Sequence, residues 1–259
     1  MNILDIIIIG IVEGITEFLP ISSTAHIDIT RHFLSIPLSD FIKSFEIFIQ
    51  LGAICAVIVL YGIRVLKSWK YVRNIVIAFI PTGIIGFLLY KLIKAFLLGN
   101  TILASIMLVF GGIIIVVFER RHKSSDPEGI VQAEELSTKQ LLLLGVAQSL
   151  AVVPGVSRSG AVIIAGRLLK LPKVLITEFS FTLAVPTMLA ASAYDLLKTG
   201  PSFSTADWWN MFYGFIVSFI VALVVVRWLI GYIKKHSFEV FGWYRIMAGI
   251  AIFAILAFW

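Results

Sequence analysis

The chain has 259 residues, 59% of them hydrophobic and only 14% charged, with a mean hydropathy of +1.01. Soluble domains carry about 25% charged residues, so this composition excludes a soluble globular protein and indicates an integral membrane one. The formal net charge of +6 does not point to nucleic acid, because the bases sit in short clusters between apolar runs, as in chains oriented by positive loops.

In chain order, the first apolar region covers 3–34. It lacks a basic flank and a small-residue cleavage pattern, so Ile3–Ile11 reads as retained structure. The polar run Glu13-Gly14-Ile15-Thr16-Glu17-Phe18-Leu19-Pro20-Ile21-Ser22-Ser23-Thr24-Ala25-His26 breaks this region in the middle. Three spans follow, over roughly 45–63, 74–95 and 101–118, each near the 20 residues a crossing helix needs. Cys55, the single cysteine, lies inside the first of them and reads as a packed thiol. A mixed-charge loop, 119–139, forms a connector. The second broken region, 140–170, is interrupted by Pro154-Gly155-Val156-Ser157-Arg158-Ser159-Gly160. Three more spans lie at about 177–197, 209–230 and 239–258. Proline, glycine and serine inside an apolar run end one helix and start another, which predicts a re-entrant hairpin at each break. The expected fold is an all-α integral membrane protein with six transmembrane helices and two re-entrant helical hairpins.

The bases orient it. Arg64, Lys67, Lys70 and Arg73, then Arg120, Arg121, Lys123 and Lys139, then Arg167, Lys170 and Lys173, then Arg227, Lys234 and Lys235 hold 14 of the 21 Lys and Arg if all are cytoplasmic. The opposite side keeps five, Arg31, Lys43, Lys91, Lys94 and Lys198, while Arg158 and Arg245 fall within motif or span. The positive-inside rule then puts both termini outside the cytoplasm.

The same order exposes a repeat within one membrane domain: 3–118 and 140–258, joined by 119–139. Aligning Pro20 with Pro154 pairs Ser23 with Ser157 and Phe45 with Phe179, and a one-residue slip upstream pairs Gly10 with Gly145 and Glu13 with Gln148. An odd number of crossings per half inverts the second half, as in many transporters, whose sites lie where broken helices meet.

Glu13 and Glu17 are four apart, on one helix face. Adjacent carboxylates in apolar surroundings call for a proton or cation between them, and a hard divalent ion, Mg²⁺ or Ca²⁺, suits oxygen ligands and a phosphorylated substrate. The structural alternative is a protonated pair that caps or bonds a neighbouring helix. His26 is a candidate general acid, base or nucleophile. Ser22 and Thr24 are N-cap types as well as phosphate contacts, and Ser23 is the better nucleophile or contact. Arg158 presents a fixed fork of donors that matches phosphate, pairing with Glu13 or Glu17 or awaiting a diphosphate. Ser159-Gly160 restarts a helix whose N–H groups favour an anion. Glu46, Gln50, Glu178 and Ser180 read equally as support for the site or as interhelical bonds. Walker A, GxGxxG, CxxC and HExxH patterns are absent. Gly10-xxx-Gly14 offers a close-packing face, for instance in a homodimer.

At these motifs the chain resembles the undecaprenyl-diphosphate phosphatase family of bacteria, also called bacitracin-resistance proteins. The resemblance runs over Glu13 to His26, Phe45-Glu46 with Gln50-Leu51-Gly52, Pro154 to Ala161, Glu178 to Phe181 with Ala184-Val185-Pro186, and Tyr244-Arg245. It implies hydrolysis of a C55 isoprenyl diphosphate to the monophosphate carrier and phosphate, with a divalent cation, at the outer face of the plasma membrane. By position, Glu13, Glu17 and His26 match the acidic and imidazole set, Ser23 a nucleophile or contact, and Ser157 and Arg158 the phosphate-binding pair. Ala25, where members carry glycine, and Val162, where they carry threonine, depart from the pattern. The competing expectation is a flippase or transporter of the same phosphorylated lipid.

Overall fold

The computed structural model describes residues 1–92, 99–122 and 132–258, and these contain helices and no strands. The first break separates α1 (Ile3–Thr16) from α2 (Ser23–Phe33), and the spans α3 (Asp40–Leu66), α4 (Trp69–Leu92) and α5 (Thr101–Arg121) follow. The second break separates α6 (Thr138–Ser149) from α7 (Arg158–Leu168), followed by α8 (Lys173–Thr199), α9 (Thr205–Ile233) and α10 (Glu239–Phe258). Six helices, α3, α4, α5, α8, α9 and α10, are long and apolar enough to cross a membrane. The four helices at the breaks have 14, 11, 12 and 11 residues. At 1.5 Å per residue they reach about 16–21 Å, short of a core about 30 Å thick, and each pair packs on itself in the manner of a hairpin.

The spans are longer than hydropathy alone suggests, because their ends are set by caps. Ser39 accepts from Ile42 N at 3.2 Å and starts α3 five residues before the expected 45. Ser204 and Asp207 form a reciprocal capping box that starts α9 at Thr205 rather than 209. Of the expected span 74–95 and connector 119–139, residues 93–95 and 123–131 lie outside the described residues, Lys94 and Lys123 among them. Of the rest of the connector, 119–121 end α5 and 138–139 begin α6, and between them a 3-10 turn, Ala133–Glu135, is held where Asn74 Nδ2 donates to Ala133 O at 2.8 Å.

The two halves share a backbone signature. Ser22 and Ser157, the N-caps of α2 and α7, are both left-handed, with φ of 70° and 71°, and so are Ser35 and Lys170 past the helix ends, at 54° and 60°. The closing bonds match as well: Ile36 N to Arg31 O and Leu171 N to Gly166 O, both 3.0 Å. These correspondences run at an offset of 135, so the pairing of Ser23 with Ser157 is corrected: Ser22 pairs with Ser157, and Ser23 with Arg158. Proline misleads as an anchor because the loops between helices differ by one residue in where they place it.

Packing is exchanged between halves. α1 lies on α9 and α6 on α4, while α5 packs on α10 and α3 on both α8 and α9. Gly10 and Gly14 make the first of these contacts, against Val217 and Val221 of α9 in the same chain, and Gly145 makes the second, against the Ala78 carbonyl and Pro81 of α4. Gly52 meets the Phe215 carbonyl, letting α3 approach α9 closely. A methyl group at Gly52 displaces that carbonyl, so Gly52→Ala lowers stability by about 1–3 kcal/mol. Gly86, with nothing within 4 Å of its would-be Cβ, tolerates Gly86→Ala without loss. Thermal unfolding in detergent checks both.

Candidate active site

The two breaks meet. Ser157 caps α7, its Oγ accepting from Gly160 N at 3.2 Å and lying 3.2 Å from Ser159 Oγ. Ser159 Oγ in turn donates to Leu19 O of the first break at 3.1 Å. Gly155, at φ 88°, lies so close to α5 that a side chain there would meet the Ala104 carbonyl. Ser22 holds the N-cap position of α2 without a side-chain bond, so its expected capping is not made, and Thr24 lies inside the first turn.

The strongest tie between the breaks comes from Arg245 on α10, which is 1% exposed. Its Nη1 donates to Pro20 O and Val156 O at 3.0 Å each, and its Nη2 to Gly155 O at 2.8 Å and Met107 O at 3.1 Å. Nε donates to Leu108 O at 3.3 Å. All five N–H groups of the guanidinium are thereby used on main-chain carbonyls from both breaks and α5. Gly111 leaves the room: a Cβ there would overlap the guanidinium. The sequence placed Arg245 in a span and gave it no task; its signals were an isolated arginine in an apolar helix and its place in the Tyr244-Arg245 stretch of the resemblance.

Arg158 is arranged differently. Nη2 pairs with Glu17 Oε1 at 3.0 Å and Nη1 donates to Ser180 O at 3.3 Å, but Nε has no partner. Ser23 Oγ donates to Glu17 Oε2 at 2.5 Å, completing a chain Ser23–Glu17–Arg158 across the two breaks. Of the two carboxylates offered to Arg158, Glu17 takes the pairing. Glu13, fully buried one turn earlier, meets no cation, hydroxyl or N–H donor, and its carboxyl lies within hydrogen-bonding reach of that of Glu17.

These groups face a cavity of about 200 Å³. Its polar wall holds Glu17, Ser22, Ser23, Thr24, Ser157 and Arg158, with Gln50, Thr82, Gln148 and Thr187 beside them, and its apolar wall includes Val152, Val153, Met188 and Ala191. Glu13, His26, Ser159 and Gly160 stand behind the wall. His26 Nδ1 lies 2.7 Å from Ser22 O, which only accepts, so Nδ1 carries the hydrogen; Nε2 lies 2.8 Å from Tyr244 Oη, the two rings stacked. Both imidazole nitrogens are therefore engaged. Glu46 pairs with Arg31 at 3.7 Å and Glu178 with Arg64 at 3.0 Å, away from the wall. Gln148, Thr82 and Thr187 were not read as site residues, since neutral polar residues scattered over three helices carry no motif.

The profile of the family described as bacitracin resistance protein BacA matches residues 6–251. The undecaprenyl-diphosphatase of Aquifex aeolicus (strain VF5) is 50% identical over 97% of this chain and 98% of its own length. That of Sulfurihydrogenibium sp. (strain YO3AOP1) is 48% identical over 96% and 98%. That of Thermus thermophilus is 41% identical over 96% and 95%.

Arg245→Lys replaces five fixed donors with three on one mobile atom and leaves buried carbonyls unpaired. It is expected to cost about 3 kcal/mol or more of stability. Differential scanning calorimetry in detergent reads the loss; unchanged unfolding would show the guanidinium to be dispensable.

Proposed function

The chain belongs to the bacitracin resistance protein BacA family, and on that premise we propose how its site works as an undecaprenyl-diphosphatase. It hydrolyses undecaprenyl diphosphate to undecaprenyl phosphate and inorganic phosphate, recycling the carrier for cell-wall synthesis and conferring bacitracin resistance. The observation that carries the site reading is the Ser23–Glu17–Arg158 chain, which puts a hydroxyl, a base and a phosphate-binding cation on one cavity wall.

The diphosphate enters against Arg158, whose free Nε and remaining N–H groups take phosphate oxygens. Ser157 and the first turn of α7 face the same anion. Ser23 Oγ, its proton directed at Glu17, attacks the terminal phosphorus. The Oγ–P bond forms as the anhydride P–O bond breaks, the lipid monophosphate leaves, and the proton passes through Glu17 to water. Water then hydrolyses the phosphoserine. His26 holds the Ser22 carbonyl from behind and acts through it, as a positioning residue. Thr24 and Ser22 line the phosphate end. Catalysis is positioning and charge neutralisation, as in phosphoryl transfer generally.

A divalent cation, Mg²⁺ or Ca²⁺, fits the donor set: the Glu13 carboxyl lies against that of Glu17, and no donor of the protein meets its oxygens. Among the described residues no group of three or more His, Cys, Asp or Glu is spaced to hold a metal, so Glu13 and Glu17 would share the ion with phosphate oxygens and water. When bound it neutralises phosphate charge. The basic clusters support an inverted repeat with both termini and the cavity mouth extracytoplasmic, in the bacterial plasma membrane.

The flippase reading draws on the paired halves, yet a carrier has no use for a serine aimed at a buried carboxylate. Labelled lipid crossing proteoliposomes intact, without phosphate release, would favour it.

With purified protein and farnesyl or C55 diphosphate, Arg158→Ala, Glu17→Ala and Ser23→Ala are each expected to cut phosphate release by about 10²–10⁴-fold. His26→Ala is expected to lose less. Full rates in Arg158→Ala or Glu17→Ala would overturn the assigned roles.

A further inference from the structure

Gln148, at the end of α6, is 1% exposed and lines the cavity. Its Nε2 donates to Thr82 Oγ1 of α4 and Thr187 Oγ1 of α8, both at 3.0 Å. Each hydroxyl has a single hydrogen, and both are already used: Thr82 donates to Gly145 O at 2.9 Å and Thr187 to Leu183 O at 3.1 Å. The threonines therefore present only lone pairs to Gln148, and the amide can sit one way round, with both N–H groups consumed. Its Oε1 is left buried and without a partner.

An unpaired buried acceptor is costly, and a donor that reaches Oε1 from the cavity removes that cost. An ionised diphosphate offers acceptors almost exclusively. The donor that this reaction does require, in the same cavity, is water.

We propose that Gln148 Oε1 seats the hydrolytic water, an inference that rests on the phosphoserine sequence above. The water oxygen bonds to the phosphorus held on Ser23, and the P–Oγ bond breaks. One water proton stays on the released phosphate, and the other reaches Ser23 Oγ by way of Glu17. Gln148 accepts a hydrogen bond and takes no proton. It is a catalytic residue for the second step alone, since no atom of the first step needs an acceptor there.

The test separates the steps. Gln148→Leu keeps the bulk and deletes the acceptor together with the two N–H bonds to Thr82 and Thr187, whose structural effect the first step reads out. In rapid-quench experiments with farnesyl diphosphate, its first-turnover release of farnesyl phosphate is expected to stay within about 2-fold of wild type. Steady-state phosphate release is expected to fall at least 10-fold, leaving a burst equal to the protein concentration and a phosphorylated protein detectable by intact mass. The intact first step also shows that the variant is folded. Equal loss of both steps, or no loss of either, overturns the inference while leaving the phosphatase reading in place. A wild-type protein that releases no phosphate defeats the phosphatase reading itself.

Discussion

Two interruptions of helix must be satisfied inside a membrane protein, and one guanidinium does much of this. The carbonyls of Pro20, Gly155 and Val156 belong to chain that has left its helix and lost its internal donors. Arg245 supplies them from α10, and its other two bonds reach Met107 and Leu108 of α5. A charge is a strong donor, and here its countercharge is a ring of carbonyl dipoles rather than a carboxylate. The cavity walls are thus fixed relative to the tightly packed α5–α10 pair, although neither helix supplies a wall residue. If that fork were lost, the separation of Ser23 from Arg158, which lie on different breaks, would no longer be set by the frame.

The two buried arginines of the site differ in a way that assigns their work. Arg245 has every N–H committed to the protein; Arg158 has an N–H with no partner and faces the cavity. The same distinction separates the carboxylates. Glu17 gives one oxygen to Arg158 and one to Ser23, while Glu13 meets no donor and lies against the Glu17 carboxyl. Saturated groups hold structure; where the two breaks meet, Glu13, Arg158 and Gln148 leave polar atoms for a ligand, ion or water to complete.

Much of this was legible in the sequence. Six apolar runs gave the six crossings, and two polar interruptions gave the breaks, because both features are written in residue type. The caps at Ser39 and Ser204 lengthened the spans beyond their apolar cores, since a helix continues past the point where hydropathy falls. Arg158 and Glu17 were readable as an ion pair or a phosphate site because charge at membrane depth demands a partner. Arg245 was not, because its partners are main-chain carbonyls and no residue type announces them. The role of Gln148 was hidden for a related reason: it depends on which way two threonine hydroxyls point, and that is decided by carbonyls of their own and a neighbouring helix.

The corrected register changes what the two halves mean for the chemistry. Ser23 and Arg158 each occupy the first helical position after a left-handed serine, so the proposed nucleophile and the cation proposed to bind phosphate are structural counterparts. Identical side chains at these counterparts would place like groups across the cavity from each other, two hydroxyls without a cation or two cations without a base. The sequence instead divides the groups, carboxylates and the serine hydroxyl on the first break, guanidinium and neutral amide on the second, Glu13 answering to Gln148. A frame whose halves share one backbone conformation brings the two breaks to the same place, and the difference in their side chains makes that place reactive. The shared backbone explains why the groups meet; the unshared residues give the place they share a hydroxyl, carboxylates, a guanidinium and an amide, the set that the proposed hydrolysis of a phosphate anhydride uses.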